Sequence, residues 1–260
     1  MRGRAFKKMV AALAAWGLLA CGGRADILLE GEYPGHLQDV FMSGDAIWWA
    51  HTEHLLKTDR SGRVVVGAAV GGHHAGLDMK DGRLYAAVCA FNGEPRGSTT
   101  PQCHVMVGEY DADTLVRIKM HVLDINDRAG SFCFLADGSA LIGCLRHPGL
   151  APTEVKFHHV GKDFRLIKTH VVDVGVAIPL GIEVIRRLGN DVCLFMYGGP
   201  VVKLDAKSLK VTGRCKSFGG PCGFAEEGGF AWIGTTQRDK ASGMWRSRLV
   251  RRPLSWKPAE

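Results

Sequence analysis

A unit of about 40 to 50 residues recurs five times in this chain, and no other feature limits the fold so strongly. Each copy carries an apolar segment, a Gly-containing turn, a fully apolar run, a gap, and an apolar run that closes on Asp before a second turn. The first copy reads 36–40, turn Ser43-Gly44-Asp45, 47–50, 54–59 and 64–66; the second reads 74–79, turn Asp81-Gly82, 84–90, 105–111 and 115–118. The third has 131–135, turn Asp137-Gly138, 140–145, 154–159 and 164–167, and the fourth has 181–185, turn Gly189-Asn190, 192–197, 201–205 and 209–211. A fifth, degraded copy has 222–225, turn Gly228-Gly229, 230–234 and 244–250. Short runs bounded by such turns are strands, and four per unit is the signature of a β-propeller blade rather than of a helical solenoid. The second strand of each copy is apolar without alternation, as a strand covered on both faces should be. Residues 26–260 number 235, or 47 for each of five blades, and a propeller of that size needs no second domain. The expected fold class is all-β: a β-propeller of five four-stranded blades, with few helices. A β-sandwich would not require the same turn order five times.

The first 25 residues stand outside the repeat. Arg2, Arg4, Lys7 and Lys8 precede an apolar run over 9–20, and small residues follow at Cys21, Gly22, Gly23 and Ala25, the layout of a signal peptide. The run is too short to span a bilayer. Two cleavages compete: after Ala25, or before Cys21, where Leu18-Leu19-Ala20-Cys21 resembles a bacterial lipoprotein box and would carry a lipid anchor. The chain is thus expected to be exported: periplasmic, an outer-membrane lipoprotein, or secreted. Removing the leader takes five of the 33 Lys+Arg and none of the 26 Asp+Glu, so the formal charge falls from +7 to about +2. That is too little for a nucleic-acid surface, and no nucleic-acid partner is expected.

Export permits disulfides, and the mature part holds Cys89, Cys103, Cys133, Cys144, Cys193, Cys215 and Cys222. The spacings suggest Cys89 with Cys103, Cys133 with Cys144 and Cys215 with Cys222, leaving Cys193 in an apolar run; reduced, buried cysteines acting as small hydrophobes are the alternative. No Cys-x-x-Cys occurs, which removes the zinc-ribbon and thioredoxin-type patterns.

The third-strand pattern ending Leu-x-x-x-Asp, set after a Gly-turn hairpin, resembles NHL-type and related repeats of exported bacterial propellers. The segments Gly35-His36-Leu37-Gln38, Leu55-Leu56-Lys57-Thr58-Asp59 and His73-His74 are similar to a small five-bladed exported group of unassigned activity. The resemblance spans nearly all of the mature chain and implies the fold far more than the chemistry.

In a propeller the first strand of each blade lines the central channel, and ligands bind at one mouth of it. The residues opening the first strands are His36, Gln38 and Asp39 in copy one, His73, His74 and Asp78 in copy two, and Glu183 in copy four. Aligning the turns brings His36 and His74 to one height, where two imidazoles with Gln38 can ligate a divalent metal or simply hydrogen-bond a sugar. Asp39, Asp78 and Glu183 form a second set, the three acids of a glycosidase-like channel, although Asp39 and Asp78 differ in register. Trp49 and His51 are further ligand contacts, the indole stacking on a sugar ring. His158 and His159 fall in a third strand, away from the channel, as surface or inter-blade residues, and the insert 91–102 is a loop overhanging the mouth. The basic end, from Arg246 to Lys257, alternates as a solvated edge. Gly-x-Ser-x-Gly elbows and Gly-rich phosphate loops are absent. The leading expectation is an exported propeller that binds a carbohydrate or other polar small ligand, with a divalent metal as a candidate cofactor and the cofactor otherwise open. A polysaccharide hydrolase or lyase using the channel acids is the second, and a structural or protein-binding propeller the third.

Overall fold

The computed structural model describes residues 26–89, 104–145, 149–178, 180–196, 199–216, 218 and 222–259. The leader with Cys21, and the insert 91–102, therefore lie outside the described residues. All the regular structure of the described residues is antiparallel sheet, arranged as a five-bladed β-propeller. A short strand β1 (Ile27–Leu28) precedes blade 1, which consists of β2 (Leu37–Ser43), β3 (Ala46–His51), β4 (His54–Asp59) and β5 (Val64–Ala69). Blade 2 is β6 (His73–Lys80), β7 (Arg83–Cys89), β8 (His104–Asp111) and β9 (Arg117–Asn126). Blade 3 is β10 (Ala129–Phe134), β11 (Ala140–Cys144), β12 (Glu154–Val160) and β13 (Leu166–Asp173). Blade 4 is β14 (Val184–Leu188), β15 (Asp191–Phe195), β16 (Val201–Asp205) and β17 (Val211–Cys215). Blade 5 has β18 (Phe224–Glu227), β19 (Phe230–Arg238) and β20 (Trp245–Pro253), and β21 (Lys257–Pro258) ends the chain.

The degraded fifth repeat has a physical explanation. Its outer strand comes from the other end of the chain, because β1 pairs with β20 in the register Ile27↔Leu249 and Leu28↔Arg248 and so closes the ring. In return, β21 adds to the outer edge of blade 4, with Gly213↔Pro258 and Arg214↔Lys257. No helix of the described residues is long and apolar enough to cross a membrane.

The repeated Asp serves a turn. In blades 1, 2, 4 and 5, Asp59, Asp111, Asp205 and Asp239 accept hydrogen bonds on Oδ1 from backbone amides two to four residues ahead. The chain then passes through a left-handed residue, Gly62, Leu115, Leu209 or Gly243, whose amide returns to the Asp carbonyl. These hydrogen bonds to the ionised form hold each carboxyl below its ordinary range, Asp59 at about 2.

Between the blades lie five apolar seams. Trp49 of blade 1 packs with Trp232 of blade 5, and Phe195 of blade 4 stacks on Phe224 of blade 5 at 3.7 Å. The second strands are buried almost throughout, which explains their lack of alternation. The first strands approach so closely that some positions admit no side chain. A Cβ on Gly76 would stand 2.4 Å from the Phe132 amide nitrogen, and one on Gly130 2.4 Å from the Ile182 carbonyl oxygen. Gly76→Ala should therefore destabilise the protein by about 1–3 kcal/mol in urea unfolding, since backbone has to move. An unchanged midpoint would contradict this packing.

The cysteine pairings suggested by spacing need correction. Cys133, Cys144, Cys193 and Cys215 are buried thiols rather than half-cystines. Cys133 faces Leu141 across the β10–β11 hairpin while Cys144 faces Ala129, so the expected Cys133–Cys144 bridge does not form. The thiol at Cys215 likewise removes the Cys215–Cys222 bridge, and Cys103 lies outside the described residues. Burial pushes the Cys193 thiol up to about 12, the state of a small core hydrophobe.

Candidate functional site

The channel is closed near its middle by an ion pair. Asp39 of β2 is wholly buried, and its two carboxylate oxygens lie 3.0 and 2.9 Å from Nη2 of Arg186 in β14. The amides of Val40 and Phe224 donate to Oδ1 at 2.8 and 3.3 Å, and that of Leu77 to Oδ2 at 2.6 Å. Arg186 also donates to the carbonyls of Leu77, Val40 and Phe224. The guanidinium thus ties blades 1, 2, 4 and 5 across the axis. Burial raises the Asp39 carboxyl, but every partner facing it is an N–H donor, so a proton there would have no acceptor and the ionised form is retained. Asp78 has a related position: its oxygens accept from Met79 at 2.8 Å and, across the blade seam, from Phe134 at 2.7 Å. Both acids hold first strands together.

Glu183 differs from them. It sits in the link immediately before β14, at the mouth where the first strands begin, and its amide donates to Phe195. Among the described residues no group hydrogen-bonds or ion-pairs with its carboxyl. Burial alone pushes that carboxyl from 4.5 to about 7. Its neighbour is Cys222, at the opening of blade 5, whose thiol is raised to about 12 by burial and by Glu183.

The histidines of the same mouth are uncharged. His36 accepts at Nε2 from the Gln38 side chain at 2.8 Å, and Gln38 also donates to Thr52 Oγ1 at 3.4 Å. Burial lowers His36, and it lowers His73 to about 4 with help from the adjacent His36. The turn alignment paired His36 with His74; the structure puts His73 beside His36 and buries His74. The His74 Nε2 accepts from the Tyr110 hydroxyl at 2.5 Å and its Nδ1 faces the Gly72 carbonyl at 3.4 Å, so both ring nitrogens are engaged by protein. His51 is also fully buried, near 4 in pKa, with Nδ1 donating to Gly35 and Nε2 near Ser247 Oγ.

Trp49 cannot stack on a ligand, because it is fully buried between blades and spends its indole N–H on Thr58 Oγ1 at 2.9 Å. The aromatic surface at this rim is Trp245, half-buried at the start of β20, with its ring 5.6 Å from that of His36, and Tyr33, which bridges to it. Sequence reasoning missed both. The third strand of a degraded copy attracted no attention, although an aromatic at the mouth end of a third strand is the signal that finds it. Arg186 was missed as well, hidden in an apolar run.

Fold and site together define a five-bladed propeller with a plugged axis and a polar, largely uncharged mouth. No protein-family model and no curated protein matches the chain. Among solved structures, a protein of unknown function from Bacteroides caccae is similar with a TM-score of 0.52 and 13% identity, over 82% of this chain and 75% of its own. The glutaminyl cyclase of Myxococcus xanthus is similar with a TM-score of 0.51 and 13% identity, over 90% of this chain and 98% of its own. Identity at that level carries the fold alone.

Proposed function

We propose that this protein is an exported propeller that binds a neutral, hydroxyl- or amide-bearing small molecule, a carbohydrate first of all, at the mouth lined by Glu183, His36, Gln38, His73 and Trp245. The observation that carries this reading is the Glu183 carboxyl, partly buried at the mouth and without a hydrogen-bond or ion-pair partner among the described residues. A carboxyl near pH 7 both donates and accepts, which suits a hydroxyl or amide. The neutral imidazoles of His36 and His73, at the openings of blades 1 and 2, supply further polar contacts without favouring an anion, and Trp245 beside His36 offers an apolar face for a sugar ring.

Calorimetric titration against neutral oligosaccharides tests this. Glu183→Ala should weaken binding at least about tenfold, the loss of one buried hydrogen-bonding group, whereas Glu183→Gln should bind and lose the dependence on pH around 7. Binding that ignores Glu183→Ala and Trp245→Ala alike would remove the mouth from consideration.

A second reading makes Glu183 a general acid or base, because its carboxyl titrates near working pH. Asp39 and Asp78 are committed to backbone amides, so a two-carboxylate glycosidase lacks its second free acid among these candidates. Single acid–base chemistry remains open to it. Since a glutaminyl cyclase shares the fold, a glutaminyl cyclase assay belongs beside the glycan titrations. Turnover abolished by Glu183→Gln would select this reading over simple binding.

A further inference from the structure

Blade 3 holds a second polar cluster, independent of Glu183. Asp127 lies in the link before β10, Cys144 ends β11 and His158 is in β12; all three are buried, and one ligand atom from each lies within 4.8 Å of the others. We propose that Asp127, Cys144 and His158 form a site for a zinc-type transition-metal ion, with Lys156 as an internal cation that occupies it when metal is absent.

The donor set comes first. A thiolate, an imidazole and a carboxylate are ligands that select zinc or a similar ion over calcium or magnesium, which take oxygen. Their present arrangement is centred on one carboxylate oxygen. Asp127 Oδ2 lies 2.9 Å from His158 Nε2 and 2.5 Å from Lys156 Nζ, and the Cys144 thiol also hydrogen-bonds to Asp127. Each of these contacts points a proton at the place a divalent ion would fill. Metal–ligand bonds of about 2.0–2.3 Å put the donors of a tetrahedral ion roughly 3.3–3.8 Å apart, so shifts of about 1 Å suffice.

The surroundings fit both states. On binding, Cys144 gives up its Sγ proton to solvent and its sulfur takes the metal. His158 exchanges its ring proton from Nε2 to Nδ1, where Thr169 Oγ1 stands 3.0 Å away. A hydroxyl can donate to that nitrogen in one tautomer and accept from it in the other, as the outer partner of a ligating histidine must. Asp127 is further fixed by the Arg128 amide on Oδ1 at 2.8 Å. Lys156 keeps its proton and moves away; its side chain is 15% exposed while those of Asp127 and His158 are 5% and 7%, so it already borders solvent. Three protein ligands leave a tetrahedral ion one open position.

The test uses the full chain, stripped with a chelator and dialysed against zinc, with cobalt as the spectroscopic probe. One zinc per chain is expected, with a thiolate-to-cobalt charge-transfer band. Cys144→Ser should abolish the band, and His158→Gln should weaken uptake by about 10–100-fold or more. Lys156→Met should tighten it at least about tenfold, because a like charge leaves the site. The double variant His36→Ala/His73→Ala should bind as the parent does, which separates this site from the mouth. No stoichiometric uptake by the parent chain would overturn the proposal and leave an Asp127–Lys156 ion pair that is complete without metal. Uptake that ignores Cys144→Ser, or an affinity unchanged in Lys156→Met, would overturn it equally.

Discussion

Arg186→Met should destabilise the protein by about 3–5 kcal/mol, the usual loss when one partner of a buried ion pair is removed. The substitution leaves the Asp39 carboxylate at the centre of the propeller without its counter-charge and takes the side-chain donors from the Leu77, Val40 and Phe224 carbonyls. Urea unfolding measures it. Should the variant fail to fold, Arg186→Lys gives the same information, since an ammonium keeps the charge but cannot serve so many oxygens from one planar fork. A loss of about 1–3 kcal/mol is expected there. Adding Asp39→Asn to Arg186→Met should recover part of the stability, because the uncompensated charge goes with it. Losses below about 1 kcal/mol in every case would mean that the axis is held by the apolar seams alone.

Glu183→Gln should have the opposite sign and depend on pH. The folded carboxyl titrates near 7 against 4.5 as its ordinary value, so the folded state binds its proton more tightly than the unfolded state. Stability from this residue is complete below 4.5, declines as pH rises, and is fully lost above 7. A shift of that size corresponds to about 3 kcal/mol. Glu183→Gln should therefore be more stable than the parent above pH 7 and indistinguishable in acid, as thermal unfolding across pH would record. A site that is stabilised when its polar group is neutralised is one whose geometry is kept at a cost to the fold, the pattern expected of binding groups.

Much of the architecture was legible in the sequence because propeller blades repeat their physics. The unalternating apolar strands correspond to β3, β7, β11, β15 and β19, and the Asp ending the third strand of blades 1, 2 and 4 marks the turn it caps. The two-residue strand β1 was not legible. Ile27–Leu28 is too short for any periodicity, and its partner is more than 200 residues away. The roles of Asp39 and Arg186 were hidden for the same reason, since a charge that reads as a channel group becomes structural once a distant blade brings its partner. His73 and His74 illustrate a finer limit. Neighbours in a strand face opposite sides, so a register change of one residue exchanges the exposed histidine for the buried one. The bulge between His74 and Leu77 has its counterpart between Leu37 and Asp39, and the hairpin pairs Ser43↔Ala46 and Lys80↔Arg83 put the two first strands in one register, which matches His36 with His73 and Leu37 with His74. Among the cysteines, spacing suggested a Cys133–Cys144 bridge, but both lie in wholly buried strands as core thiols, as Cys193 does in its apolar run.

The Glu183 carboxyl stands at the mouth, partly buried and without a protein partner among the described residues, open to a ligand. Carbon-13 NMR titration of the side-chain carboxyls, with Glu183 assigned by its disappearance in Glu183→Gln, measures this directly. A midpoint near 7 is predicted, and it should move when a neutral ligand binds. A midpoint near 4.5 would place the group in water or beside a cation, and would contradict the account.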